Sequence, residues 1–550
     1  MQEKVLSQEE EMEEKYETGS GIPIKDIYRP EDIRHIDYER DIGEAGEYPH
    51  TRGIYKGMYR NKLWTRRFLS GFGSAEDSME RLKYLAGIGS EGVEVINDTP
   101  GQLGLDSDHP MAVDEVGLVG IPATSLDDLE TILEGFPLDK TVASFEASGA
   151  SSFTTFCQLI ALAEKQGVPL TALNGSIHPN PFDTYYCSYG TLQPLDLMTK
   201  LAVDVVQFCS EKKMRFVTFH GSARLARENG ITACQELALG MSTQIAFVEK
   251  LLERGLKFDD IAYRPVFTFG ICMDFFEEIA KFRAGRKMWA RIAREKYGSK
   301  NPRAQRLYLA VRASGRALIA QQPLNNITRT AYQLMAAVLG GCNAIDPCLL
   351  DEPLCLPTED ASWIGMCNQN ILAHETGVYK VVDPLGGSYF IEYLTDELEK
   401  KAFKLLDKIQ EMGGITEAVR TKWVDQMIEE ESLKFQRAVE KGEIKLVGAN
   451  DMVLPPEKEQ HLPIHRTTRA SSEKQIRRTI EVKQRRDNKK VKELLKKLIE
   501  EDKRGNVNLV PTAVEASKAY ATIGEIWGTL REGRGLSYDP HGMIESPFKD

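Results

Sequence analysis

No stretch of this chain is apolar for long enough to span a bilayer, and its opening residues, MQEKVLSQEEEMEEKYE, are acidic where a secretory signal needs an apolar core. Cysteine is sparse: nine residues, scattered, with no Cys-x-x-Cys pair. That excludes a small disulfide-stapled domain and reads as the reduced, buried thiols of a cytoplasmic protein. Basic residues are outnumbered, 70 Lys and Arg against 82 Asp and Glu, for a net charge of −12, which argues against a nucleic-acid surface. The histidines are dispersed and form no close cluster with cysteines or carboxylates, so a metal-dependent enzyme is a poor reading and no metal site is expected. Internal repeats and low-complexity linkers are also absent.

What is present is 550 residues of soluble globular composition, 42% hydrophobic and 28% charged, enough for one large domain with accessories. Short apolar runs alternate with amphipathic stretches, the pattern of a parallel α/β fold. The strand candidates are VEVIND (93–98), TVASFEA (141–147), LTALNGS (170–176), MRFVTFHG (214–221), AYRPVFTFG (262–270), RLYLAVRAS (306–314), CNAIDP (342–347) and GVYKVVDP (377–384). Helices are predicted over 153–166, 195–211, 233–254, 273–296 and 327–339, where apolar residues recur at three- and four-residue spacing. Eight β/α units fit a closed barrel with its chemistry at the C-terminal strand ends, and counting alone leaves an open doubly wound sheet available. Residues 1–47 read as an extended arm, 48–400 as the barrel and 401–550 as a helical extension. The charge run Lys474–Arg504 reads as a solvated helix face.

Several ordered blocks carry a resemblance. They are YPHTRGIYKGMYRNKLWTRRFLSGFG (48–73), GLDSDHP (104–110), FRAGRKMWA (282–290), QQPLNNITRTAYQLMAAVLGG (321–341), LDEPLCLPT (350–358) and VDPLGGSYFIE (382–392). Together they resemble the catalytic large subunit of the adenosylcobalamin-dependent acyl-CoA mutases, the methylmalonyl-CoA mutase family. The resemblance implies a (β/α)8 TIM barrel threaded by an acyl-CoA and capped by adenosylcobalamin, which supplies radical chemistry for a carbon-skeleton rearrangement. The cobalamin-binding DxHxxG motif of the family is matched only by Asp539-Pro540-His541, with Ile544 where its glycine belongs. A separate small subunit bearing that motif, and hence a hetero-oligomer with subunit contacts from the arm and tail, is therefore expected.

Carried over residue by residue, Tyr55, Met58, Thr65, Arg67 and Arg264 match positions that contact CoA, and Lys62 stands where the family has an arginine. Glu228 and Glu352 match carboxylates beside the adenosyl ribose. Asn97 and Asp98 occupy the positions of a Phe-Asp pair beside the corrin, with Asn97 a departure.

The acyl-reading positions depart from the family together. Leu69 replaces a tyrosine, Ser188 an arginine that pairs the substrate carboxylate, Leu225 a histidine on the thioester carbonyl, and His178 a glutamine. An unpaired buried carboxylate costs several kcal/mol, so methylmalonyl-CoA is not the expected substrate, and Leu69 makes room for a bulkier acyl group. Arg312, Glu146, His178 and His220 fall at strand ends and can replace the lost polar groups. Arg312 is a candidate carboxylate anchor, with His178 or His220 on the carbonyl; alternatively Arg312 and Glu146 form a structural ion pair. The substrate is expected to be an alkyl- or aryl-substituted succinyl- or malonyl-CoA. The alternatives are a branched or hydroxy monoacyl-CoA of the isobutyryl or 2-hydroxyisobutyryl type, and a non-catalytic acyl-CoA-binding paralogue.

Overall fold

The structure, a computed structural model, describes residues 16–548 except 147–148, 187–192, 219, 262–264 and 459. Among the described residues lie nine short strands: β1 (Thr65–Arg66), β2 (Leu69–Ser70), β3 (Val93–Val95), β4 (Val142–Phe145), β5 (Asn174–Ile177), β6 (His220–Ser222), β7 (Val266–Ile271), β8 (Tyr308–Ala313) and β9 (Ala344–Asp346). They form two parallel sheets, ordered β1-β9-β8-β7-β6 and β2-β3-β4-β5. The chain passes from one sheet to the other between β1 and β2, across Arg67 and Phe68. At the opposite junction Val217 N donates to Gly175 O at 2.9 Å, and Ile177 N to Val217 O at 3.0 Å. Helices between the strands cover the sheets, the arrangement that parallel strands require.

Seven of the eight anticipated strands are found at or beside their predicted runs. The exception is GVYKVVDP, which forms a 3-10 turn at Val378–Lys380 and a loop. Gly377 and Asp383 both take positive φ there, 73° and 49°, and the Asp383 carboxylate is drawn in by Arg52 and Arg283. The strand missed by periodicity is the β1–β2 pair. Its residues, Thr-Arg-Arg-Phe-Leu-Ser, are too polar and too short in each sheet to alternate visibly. Gly71 ends it at φ 142°, where a Cβ would stand 2.6 Å from Ile121 Cγ2.

The predicted helices are present as Gly149–Lys165, Leu195–Glu211, Ala233–Glu253, Phe275–Arg291 and Asn325–Leu339. Phe275–Arg291 is unusual in burying charge along its length: Glu277, Glu278, Lys281, Arg283, Arg286 and Lys287 are all nearly inaccessible. Each has partners. Lys281 Nζ lies 2.7 Å from Glu236 and 2.5 Å from Glu278, and donates to Gly270 O of β7 at 2.6 Å. Arg283 pairs Asp383 and Glu392. Arg286 donates to the carbonyls of His50, Thr51 and Gly340, and Lys287 reaches Asp41 and Glu399.

The described part of the N-terminal arm lies on the chain's own helices. Ser20 N donates to Glu277 at 2.8 Å, Lys401 donates to Gly21 O at 2.6 Å, and Asp41 meets Arg291 at 2.8 Å. The helix Tyr389–Glu411 runs straight through residue 400 and packs on Phe275–Arg291 and Ala233–Glu253. The basic run forms the helices Arg469–Arg485 and Asn488–Lys503. Much of its charge is engaged rather than solvated: Arg478 pairs Asp127 and Glu76, and Lys483 pairs Asp106 and Asp108. The GLDSDHP block is the receiving clasp, with Asp106 also accepting from Thr522 and Gly524, and His109 facing Asp539 at 3.3 Å.

Replacing one member of a buried charge network leaves the others unpaired and typically costs about 3–5 kcal/mol. Lys281→Met, close in volume, should lower the urea-unfolding free energy by about that amount; a loss below about 1 kcal/mol, the range of exposed pairs, would show that the helix does not depend on this pairing.

Candidate active site

Three cavities follow one another along the strands. The first, about 390 Å³, opens at the N-terminal strand ends and is lined by Lys62, Thr65, Arg67, Glu91 and Lys140. The second, with about 30 Å³ of room, lies among Arg67, Glu94, Glu146, Arg224, Arg312 and Asp346. The third is a chamber of about 630 Å³ at the C-terminal strand ends, walled by Phe68, Leu69, Phe72, Leu349 and Leu354, with Arg224, Arg312, Glu228 and Glu352 among its polar groups. Arg67 is shared by the first two, and Arg224 and Arg312 by the last two. Ser144 and Ser176, on neighbouring strands, join Oγ to Oγ at 3.0 Å, and Arg67 donates to Ser144 at 3.0 Å.

Strand register sets the pairings around the narrow middle. Arg312 of β8 stands directly beside Asp346 of β9, and Leu69 of β2 beside Glu94 of β3. Adjacent residues of parallel strands point to the same face, so these side chains meet. Arg312 lies 3.4 Å from Asp346 and 3.0 Å from Glu352, while Glu146 takes His178 at 3.0 Å. The two residues of the anticipated alternative ion pair thus line one cavity with different partners. Arg67 approaches Glu94 only to 3.9 Å.

Burial dominates the titration of these groups. It pushes Glu94 up to about 8 against the opposing charge of Arg67, and Asp346 up to about 6 against Arg312. Burial also works to raise Glu146, but His178 and Arg224 hold it down to about 2. For Arg312, burial is outweighed by Asp346 and Glu352, which keep the guanidinium charged. His220 is pushed well below the ordinary histidine range by burial and by His178, so it is neutral. Its ring lies over His178 at 3.7 Å between centroids, and neither of its nitrogens has a hydrogen-bond partner among the described residues.

The two carboxylates expected beside an adenosyl group open on the same chamber. Glu228 accepts from Ser314 Oγ at 2.9 Å and from Arg316 N, leaving its Oε1 buried and without a partner among the described residues. Glu352 accepts from Leu349 N as well as from Arg312. Asp98 stands one layer back: it caps the helix Thr99–Leu103 through Gly101 N and holds Gly117 N, both at 3.0 Å. That fixes the loop whose Val119 and Gly120 line the chamber. Asn97 is buried and accepts from Thr155 at 3.3 Å.

The family model described as methylmalonyl-CoA mutase matches residues 17–536. The 2-hydroxyisobutanoyl-CoA mutase large subunit of Aquincola tertiaricarbonis is 34% identical over 534 residues, covering 96% of this chain and 94% of that protein. The methylmalonyl-CoA mutase of Rhizobium meliloti (strain 1021) is 36% identical over 523 residues, 94% of this chain and 72% of that one. The mitochondrial methylmalonyl-CoA mutase of Homo sapiens is 32% identical, covering 97% of this chain and 70% of that one. The chain belongs to the methylmalonyl-CoA mutase family. It is an isomerase, the large subunit of a cobalamin-dependent acyl-CoA mutase.

In this mutase the remaining anticipated residues are distributed as follows. Tyr55 is exposed, with Arg306 5.8 Å from its ring centre, and Met58 is buried at the start of a short helix. Leu225, within the helix Arg224–Glu228, is partly buried against the core and is not among the residues lining the chamber. Ser188 and Arg264 lie outside the described residues. Sequence reasoning passed over Glu94, Asp346 and Arg224. The first two were legible as acids inside apolar strand runs, and the third sits beside Leu225. No helix among the described residues is long and apolar enough to cross a membrane.

The sign of the Glu94 effect is testable. Its folded value, about 8, lies above the ordinary 4.5, so the folded state holds a proton that the unfolded state releases between those limits. Its contribution to stability is full below about pH 4.5 and is lost as pH rises towards 8. Glu94→Gln should therefore raise the melting temperature relative to wild type at pH 8.5 more than at pH 5; equal shifts by scanning calorimetry would contradict a protonated Glu94.

Proposed function

We propose that this mutase rearranges an acyl-CoA other than methylmalonyl-CoA, with an alkyl or aryl substituent on a succinyl or malonyl frame. The CoA arm enters through the cationic mouth and the acyl group occupies the chamber. In this reading the strands close as an eight-stranded barrel, with β1 and β2 forming one strand broken across two sheets. Hydrogen bonds at both sheet junctions support closure: those around Val217, and those of the β1–β2 segment, where Arg67 N donates to Ile345 O and Glu91 N to Arg66 O.

The observation that carries the substrate reading is the chamber itself. Leu69, with Phe68, Phe72 and Leu349, gives it apolar walls suited to a bulky hydrocarbon and to excluding water. The anticipated carbonyl donors stand behind this wall: neutral His220 lies over a His178 held by Glu146, and neither ring is among the residues lining the chamber or the narrow cavity.

Adenosylcobalamin fits the residues present: Glu228, whose Oε1 has no partner among the described residues, and Glu352 both line one chamber and can accept from ribose hydroxyls. When bound, it supplies the hydrogen-abstracting radical that starts the rearrangement. The chain's own share is to hold the acyl-CoA, orient its carbonyl and keep water out.

We further propose a small cobalamin-binding subunit with a DxHxxG motif as partner. The name of the Aquincola relative, a large subunit matched over 94% of its length, supports this. The Asp539–His541 stretch is taken up locally, with Asp539 accepting from the backbone of His541, Met543 and Ile544. The same relative favours a second reading, a hydroxylated or branched monoacyl-CoA substrate.

The test is to co-express the chain with such a small subunit, add adenosylcobalamin, and resolve isomeric acyl-CoAs by liquid chromatography. Conversion of a 2-alkyl- or 2-arylsuccinyl-CoA, with little or none of methylmalonyl-CoA, is expected. Conversion of 2-hydroxyisobutyryl-CoA alone selects the second reading, and no conversion by a cobalamin-loaded complex selects a binding paralogue. Leu69→Tyr should cut kcat/KM for the aryl substrate by about 10–100-fold while sparing a methyl-substituted one, since pocket shape discriminates by roughly that much.

A further inference from the structure

We propose that Arg224 is the anchor for a free carboxylate on the acyl group, which makes the chamber a site for dicarboxylic acyl-CoA thioesters. This rests on the acyl-CoA mutase reading above and assigns the specificity residue within it.

Four arginines line the narrow cavity and the chamber. Arg67 donates to Ser144 and faces Glu94. Arg81 donates to Pro357 O at 3.1 Å and to Ser362 Oγ at 2.5 Å. Arg312 is held between Asp346 and Glu352. Arg224 lines both spaces, yet among the described residues its guanidinium has no carboxylate within ion-pair distance and donates no hydrogen bond. Glu146 is near enough to feel its charge but is bound to His178 instead.

An arginine in a half-closed chamber with nothing to bind is costly in the free protein, because its five N–H donors are partly desolvated and unmatched. A carboxylate offers two oxygens that fit the guanidinium fork. The location suits an acyl group. Arg224 opens the helix Arg224–Glu228 directly after β6, with its backbone N–H on Ser222 Oγ at 3.3 Å, so the side chain springs from a fixed point at the C-terminal strand ends. It shares the chamber with Leu69 and Phe72, which allows one acyl group to meet a cation and an apolar wall together. The CoA phosphates belong at the opposite mouth, where Lys62, Arg67 and Lys140 gather. The anchor expected at Arg312 is thus reassigned: cross-strand register gives Arg312 a permanent carboxylate neighbour, whereas Arg224 has none among the described residues.

The test compares 2-methylsuccinyl-CoA with 2-methylbutyryl-CoA, which replaces the free carboxylate by a methyl group, using calorimetric titration of the full chain. Wild type should prefer the dicarboxylic ligand. Arg224→Met should weaken that ligand by about 30-fold or more, as loss of a partly buried charge partner does, and change the neutral ligand by less than about 2-fold. Arg224→Lys should restore part of the loss. Should the Met variant fail to fold by circular dichroism, Arg224→Gln decides the same comparison. Preference retained in the variant, or equal weakening of both ligands, overturns the anchor and leaves the dicarboxylate reading standing. No preference in wild type overturns both.

Discussion

The structure depends on charge buried where a helix would ordinarily bury hydrocarbon. On Phe275–Arg291, acids and bases face inward together and each finds a partner on a different segment of the chain. Through them the arm at Asp41, the loop at His50–Thr51, strand β7, the loop at Asp383 and the helix Tyr389–Glu411 are fastened to one axis. Apolar contacts would hold these pieces with similar energy but with less register. Paired charges in a low-dielectric interior tolerate only the arrangement that pairs them all. This accounts for a FRAGRKMWA block dense in basic residues inside the buried part of the helix, residues 277–290.

The same principle governs the strand ends. The narrow middle cavity collects three arginines and three acids in a small space, and register decides which of them cancel. Arg312 and Asp346 cancel because β8 and β9 bring them side by side. Glu94 has only a distant arginine and holds its proton instead. Glu146 and His178 come from adjacent strands β4 and β5 and pair at their C-terminal ends. The polarity a substrate meets in the chamber is therefore the remainder after these cancellations. That remainder is apolar wall and, among the described residues, the guanidinium of Arg224 without a carboxylate partner.

Much of the fold could be read from the chain in advance. Runs such as VFTFGI and helices such as Leu195–Glu211 announce themselves through periodicity, because their burial is one-sided or complete over enough residues to leave a pattern. The β1–β2 segment did not, since two residues in each of two sheets leave no alternation. GVYKVVDP deceived by composition: its valines suit a strand, but Asp383 is claimed by two arginines from distant segments. Tail residues such as Arg478 and Lys483 read as solvent-facing because their carboxylate partners lie hundreds of residues earlier.

By itself the sequence determined the family, through ordered motif blocks. These are properties of residue identity and local order, which a linear string preserves. Only the tertiary structure decided which arginine is free. Arg312 and Arg224 are equally charged; the first sits near the end of a strand run in the sequence and the second shortly after one. What separates them is a strand register that places Asp346 beside one and no described carboxylate within reach of the other.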